Sequence, residues 1–249
     1  MRKCRLSQAA PATGRGYFVR IDRLVLVHGS VRNGDFAWSG QRVLAAHFEL
    51  VILNRPGFPP NPPEERIDFE DHGRWVAERL QPEDHLCGHS YGGVVALFAA
   101  VLAGRLRSLI VIEPPAFGLA DDPEVAAFAE RQKAFWSDGP SETRAFLSGF
   151  YTLSGRDVEL PEPLPPDLEQ GAQALIVQRG PWEAKPPLAT LAAEPYPKLV
   201  VSGGWSPVFE KVCDVLEKGL AAERTIVRGA GHNVQRAPGF NDALLSFLR

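Results

Sequence analysis

Short runs rich in leucine, valine and isoleucine recur along the 249-residue chain, at 23–28, 48–53, 84–88, 107–113, 198–203 and 223–228. Each is apolar at odd and even positions alike, as strands covered by helices on both faces must be. Helix-length segments lie between them, roughly 36–47, 68–80, 91–103, 207–218 and 238–248. This alternation predicts an α/β fold, a mainly parallel sheet built from right-handed crossovers and flanked by helices.

One interval breaks the rhythm. Residues 114–197 separate two strands by far more than an ordinary connection. They contain helical patches at 123–136 and 141–151, a proline-rich stretch at 160–166, and a further helix running through Gln178. The expected structure is a helical cap over the C-terminal edge of the sheet. Its large apolar side chains suit a pocket roof, and Trp136, Phe150 and Trp182 are the candidates for contact with substrate. Residues 1–22 lack clear periodicity and read as an N-terminal arm, with one edge strand at most. Residues 23–249 read as a single catalytic domain that includes the cap.

Composition narrows the possibilities. The hydrophobic fraction of 45% and the charged fraction of 23% are ordinary for a globular protein, and a formal charge of −3 favours no polyanionic partner such as nucleic acid. No run reaches the roughly 20 apolar residues of a membrane span. The start of the chain has no sustained apolar segment of the kind that a secretory signal needs. Cys4, Cys87 and Cys213 are odd in number and lack metal-ligand spacing, so neither a disulfide framework nor a metal site is expected. A cytoplasmic protein with free thiols, no cofactor and a small-molecule substrate is the simplest expectation.

The chemistry enters where a strand runs straight into a turn and a buried helix. Asp84-His85-Leu86-Cys87-Gly88 leads into His89-Ser90-Tyr91-Gly92-Gly93 and then an apolar stretch to Leu102. In that setting the Gly88-x-Ser90-x-Gly92 spacing lifts Ser90 above the sheet, and the glycines remove Cβ atoms where backbones crowd. The helix N-terminus adds amide donors for negative charge. Ser90 is therefore the candidate nucleophile, and the N–H of Tyr91, next along the chain, is a candidate oxyanion donor.

On Leu24-Val25-Leu26-Val27-His28-Gly29-Ser30, Gly88-His89-Ser90-Tyr91-Gly92-Gly93 and Gly229-Ala230-Gly231-His232, the chain resembles the α/β-hydrolase superfamily from about Leu24 to its C-terminus. The resemblance implies a cap after the strand that follows the nucleophile helix, and a histidine after the last strand. His232 stands there in a glycine-flanked loop and is the candidate general base. The resemblance also implies a second oxyanion donor in the loop after His28-Gly29, the N–H of Ser30 or of Val31. The Ser30 hydroxyl either touches substrate or serves only the turn. Of the other histidines, His28 and His89 suit hydrogen bonding within their turns, and His47, His72 and His85 read as solvated or structural.

The pattern departs from many relatives at the acid. After Leu199-Val200-Val201-Ser202-Gly203-Gly204 comes Trp205-Ser206-Pro207, with no carboxylate. Ser206 and Pro207 read instead as an N-cap and first helical residue. Asp214 falls on the expected solvated face of that helix. Glu113 ends a buried strand run, and some members of the superfamily take their acid from the end of this earlier strand, so Glu113 is the preferred acid. The expected activity is hydrolysis of a small carboxylic ester, lactone or thioester by a serine hydrolase. Carbon–carbon bond hydrolysis or lyase chemistry on the same scaffold, and a non-catalytic binding protein of this fold, remain as alternatives.

Overall fold

The computed structural model describes residues 21–156 and 158–249, so the expected N-terminal arm lies outside them apart from residues 21 and 22. Six strands, β1 (Arg23–Val27), β2 (Glu49–Leu53), β3 (His85–His89), β4 (Ser108–Ile112), β5 (Lys198–Ser202) and β6 (Glu223–Ile226), form one sheet in the order β2-β1-β3-β4-β5-β6. Every pairing is parallel. The period of two splits each inner strand between two cores. Val25, Val27, Leu86, Val111 and Val200 face one side. Leu24, Leu26, Cys87, Ile110, Ile112, Leu199 and Val201 face the other. Double-sided burial is realised in β1, β3, β4 and β5, while the edge strands β2 and β6 are largely half-buried or exposed.

Helices α1 (Gly34–Ala37), α2 (Phe69–Ala77), α3 (Tyr91–Leu102), α4 (Pro123–Asp138), α5 (Thr143–Leu153), α6 (Pro166–Ile176), α7 (Leu188–Ala193), α8 (Pro207–Leu220) and α9 (Phe240–Leu248) fill the connections. The single helix expected over 36–47 is instead α1 followed by 3-10 turns over Ser39–Ala46. The break falls at Trp38, which leaves helical angles (φ −106°, ψ 17°) with its indole fully buried. Helix α3 is buried on nearly every side, and α2 lies against it so closely that a Cβ on Gly73 would sit 2.8 Å from Phe98 Cβ. The chain order reverses between β1 and β3, which are neighbours. In open α/β sheets the crevice beyond the strand ends at such a reversal is where ligands bind.

Helices α4 to α7 all lie between β4 and β5, in the interval marked out by its length. Part of this insertion has its own apolar cluster, built on Phe146, Leu147, Tyr151, Leu168 and Leu175, and that cluster takes in Val31 from the loop after β1. Backbone bonds from Ile67 N to Val177 O (3.2 Å) and from Arg179 N to Ile67 O (2.8 Å) tie the insertion to the entry of α2. Helix α6 rests directly on the Val31 loop: a Cβ on Gly171 would stand 1.7 Å from Val31 O.

That contact decides the sign of a substitution. Alanine is the better helix former by about 1 kcal/mol, but a methyl group overlapping a backbone carbonyl has no rotamer to escape into, and overpacking costs about 1–3 kcal/mol. Gly171→Ala is therefore expected to lower stability in urea denaturation. A stabilised variant would mean that α6 does not rest on this loop.

Candidate active site

Ser90 sits at φ 54°, ψ −128°, a left-handed conformation that a residue with a side chain adopts only when its surroundings enforce it. The enforcement is visible. Ser90 N donates to Ile112 O at 2.8 Å, and Gly93 N donates to Ser90 O at 2.8 Å. A Cβ on Gly88 would lie 2.3 Å from Gly92 O, and one on Gly92 would lie 2.2 Å from His28 O, so both positions require glycine.

The hydroxyl so presented has a partner. Ser90 Oγ donates to His232 Nε2 at 2.8 Å, and His232 Nδ1 donates to Glu113 Oε2 at 2.8 Å. The imidazole packs against Phe209, with ring centroids 4.7 Å apart. Its backbone carbonyl accepts a hydrogen bond from His89 Nε2 at 2.8 Å, while His89 Nδ1 accepts one from Gln235 Nε2 at 3.3 Å. Burial, aided by nearby His232, holds the His89 pKa down at about 3. His89 is thus a neutral clamp on the His232 loop, in keeping with the bonding task read for it.

Glu113 is fully buried at the end of β4, itself at φ 42°. Beyond His232, its Oε1 accepts from Gly203 N at 2.8 Å, and the indole Nε1 of Trp205 bridges Oε1 and Oε2 at 3.0 and 2.9 Å. Trp205 occupies the place where many relatives carry the acid, and there it donates to a carboxylate that comes from the neighbouring strand. Asp214 is exposed, as its helical face indicated. Ser206 departs from expectation. Pro207 does open α8, but the Ser206 side chain makes no capping bond. Glu210 reaches back instead, accepting from Gly204 N and from Ser202 Oγ, each at 2.9 Å.

On the other side of Ser90, Val31 is buried at φ 72°, and Tyr91 is the first residue of α3. Among the described residues neither backbone N–H has an acceptor. The first turn of a helix leaves such donors free. Ser30 Oγ is committed, donating to Gln178 Oε1 at 2.6 Å. The loop that carries Ser30 and Val31 is braced from beneath by Arg55, which is fully buried. Its guanidinium donates to His28 O (3.1 Å), Gly29 O (2.7 Å) and His72 Nδ1 (2.9 Å). Burial lowers the Arg55 pKa to about 10, which leaves the cation intact at neutral pH.

Two cavities meet at Ser90 and His232. The inner one, about 30 Å³, is walled by Tyr91, Pro115, Trp136, Phe150, Pro181 and Phe209 together with Gln132 and Gln178. The outer one, about 220 Å³, opens past Val31, Phe36, Tyr151 and Leu160. Trp136 and Phe150 thus face the site from the insertion. Trp182 does not line either cavity. It lies one layer behind, against Trp136 with ring centroids 5.6 Å apart.

The family model of the alpha/beta hydrolase family matches residues 24–241. The chain belongs to this family. Among curated relatives, this α/β hydrolase is similar to the pimeloyl-[acyl-carrier protein] methyl ester esterase of Aeromonas salmonicida, 39% identical over 106 residues, which are 40% of this chain and 41% of that enzyme. It is also similar to the protein of the same name from Nitrosospira multiformis, 29% identical over 177 residues, 61% of this chain and 67% of that one. The first of these likenesses spans less than half of the relative's length. The solved structure of MenH from S. aureus superposes with a TM-score of 0.68 at 18% identity, covering 91% of this chain and 93% of that one. At that identity it speaks for the fold.

Sequence reasoning did not find Trp205 as a donor, Arg55 as a brace or Gln178 as the partner of Ser30. An indole at the usual acid position and an arginine two residues after an apolar strand were the available signals for the first two. Gln178 carried none. The Trp205 contact yields a test. Removing a donor from a buried carboxylate costs about 1–3 kcal/mol, so Trp205→Phe, which keeps the ring but loses the N–H, is expected to lower urea stability by that amount. Asp214→Asn, on the exposed face, should stay within about 0.5 kcal/mol of the parent.

Proposed function

We propose that this α/β hydrolase is a serine hydrolase that cleaves a small carboxylic ester, lactone or thioester through an acyl-enzyme on Ser90. The observation that carries the reading is the unbroken line of hydrogen bonds from Ser90 Oγ through the imidazole of His232 to the buried carboxylate of Glu113. Ser90 Oγ attacks the carbonyl carbon as its proton passes to His232 Nε2, and Glu113, accepting the Nδ1 hydrogen, holds the tautomer and stabilises the imidazolium. The charge that develops on the carbonyl oxygen is taken by the N–H groups of Tyr91 and of Val31 or Ser30. Imidazolium then protonates the departing alcohol or thiol. Water, deprotonated by His232, cleaves the acyl-enzyme and restores Ser90. No cofactor enters this sequence.

The relatives named as methyl ester esterases support an ester as substrate. The insertion serves in this reading as a cap, with Trp136 and Phe150 against the bound molecule. No observation favours carbon–carbon chemistry over ester hydrolysis. A purely binding role gives no reason for a serine held in a strained turn against a histidine and a buried carboxylate.

A fluorophosphonate probe tests the nucleophile. The parent protein should be labelled, and Ser90→Ala should lose both the label and turnover of 4-nitrophenyl acetate, by about a millionfold for the latter. An unlabelled parent that does not turn over the ester would remove the proposal. Glu113→Gln should lower kcat by about a thousandfold or more, as a mis-set tautomer does. It should also lower stability, because an amide nitrogen cannot accept from the donors around that buried group, so kcat is compared on protein shown by circular dichroism to be folded. Near-parent turnover in that variant would make Glu113 a structural residue.

A further inference from the structure

We infer that the outer cavity is an anion site, and that the ester cleaved at Ser90 carries a carboxylate or phosphate on the larger of its two parts. The inference rests on the proposed ester hydrolysis and names the substrate class for it. Three guanidinium groups line the outer cavity: Arg32 from the loop after β1, Arg156 from the segment after α5, and Arg236 from the 3-10 turn that follows His232. They reach one space from three separate parts of the chain. Among the described residues none of the three is in an ion pair. Among the described residues Glu159, exposed at the rim, is the one carboxylate in that lining.

Aromatic faces hold these cations in place. Arg32 and Arg236 lie over the same ring, Phe36, at 4.3 and 4.7 Å from its centroid, and Arg156 lies over Tyr151 at 4.5 Å. Stacking orients a guanidinium and leaves its in-plane N–H groups free to bind, and guanidinium matches carboxylate or phosphate oxygens in pairs. A chain with a formal charge of −3 has nonetheless gathered positive charge at the mouth of the cavity that contains its serine and histidine. Clefts lined by one sign of charge draw in ligands of the other. The inner cavity has no Asp, Glu, Lys or Arg side chain among its described lining residues. At about 30 Å³, walled by Trp136, Phe150, Pro181 and Phe209, it has room for a methyl-sized group. The two together sort an ester by its ends, the small apolar end inward and the charged end outward.

Acetate esters of phenols with different para groups test this, since the acetyl methyl suits the inner cavity and the phenol extends outward. The measurement is kcat/KM for 4-acetoxybenzoate and for 4-acetoxyphenyl phosphate, each divided by that for the neutral 4-acetoxyanisole. The same ratios are measured in Arg156→Gln, Arg236→Gln and the double variant, so that intrinsic reactivity cancels. At low salt the ratio for at least one anion should fall about tenfold or more in the double variant, and in the parent it should shrink as salt is raised. Arg156→Lys, which keeps the charge, should retain part of it. Whichever anion shows the fall identifies carboxylate or phosphate as the group recognised. Ratios that are the same in parent and variants for both anions would overturn the inference while leaving ester hydrolysis standing. Should no ester be cleaved, the proposed hydrolysis fails, and the anion site is decided by calorimetry of 4-hydroxybenzoate and phenyl phosphate on Ser90→Ala. Binding that the double arginine variant abolishes supports the site, and no binding overturns it.

Discussion

Three stretches of backbone converge beneath Ser90: the end of β1, the turn itself and the first residues of α3. A Cβ at Gly92 would meet His28 O at 2.2 Å, and one at Gly29 would meet Ser90 Cβ at 2.9 Å. This convergence is the constraint from which the site follows. It forces Ser90 to φ 54°, a strain that is offset where Ser90 N reaches Ile112 O on the adjacent strand. The residue after Ile112 is Glu113. The carbonyl that pins the turn and the carboxylate that faces His232 are therefore neighbours on one strand, and Glu113 N in turn donates to Val201 O at 3.0 Å on the next. Serine and carboxylate are positioned by the ladder of the sheet, the most rigid element available, and only His232 comes from a loop.

A carboxylate at the end of an inner strand lies deeper than one on a loop, and depth has a cost unless every oxygen has a donor. Gly203 N, Trp205 Nε1 and His232 Nδ1 meet that need between them. This explains a sequence that otherwise looks deficient. The segment after β5 carries no carboxylate of its own but supplies donors to that of Glu113, and Trp205 also packs its ring edge-on to His232, with centroids 6.0 Å apart. The carboxylate was legible from its place at the end of a buried run. Its support was not, because the donors lie about ninety residues away in the chain, and no local pattern records a contact made only when β4 and β5 pair.

The same distinction divides the rest of the fold. Strands apolar on both faces, the glycine-serine-glycine turn and the over-long interval before β5 are local statements, and the parallel pairing of the strands, the exposure of Asp214 and the placement of α4 to α6 agree with them. Errors came where tertiary contacts override local preference. Over 36–47 the apolar spacing suits an α-helix, yet Trp38 leaves helical angles to bury its indole. At Ser206 a sound capping residue makes no capping bond, while Glu210, fixed by Arg224 at 2.6 Å, takes the Gly204 N–H just before the helix. Trp182 was read as a pocket residue from its size alone, and size is also what packing behind Trp136 requires.

The loop after β1 is held from two sides with different consequences. Below it, Arg55 donates to the carbonyls of His28 and Gly29 from a fully buried position, and removing water around those bonds strengthens them. Above it, the insertion touches the loop at two points, Gln178 on Ser30 and Gly171 against Val31. Gln178 is itself held by the short parallel bridge to Ile67. A shift of α6 would thus be transmitted to Val31, whereas the Arg55 side would resist it. Under the proposed mechanism the Val31 N–H is of use only if it stands within hydrogen-bond reach of the developing oxyanion. Phe150 and Leu160, which line the outer cavity, belong to the same insertion that seats Val31, so under that mechanism a molecule held there would touch the element that positions the donor. Binding energy realised far from the reacting bond then has a physical route to influence the step at that bond.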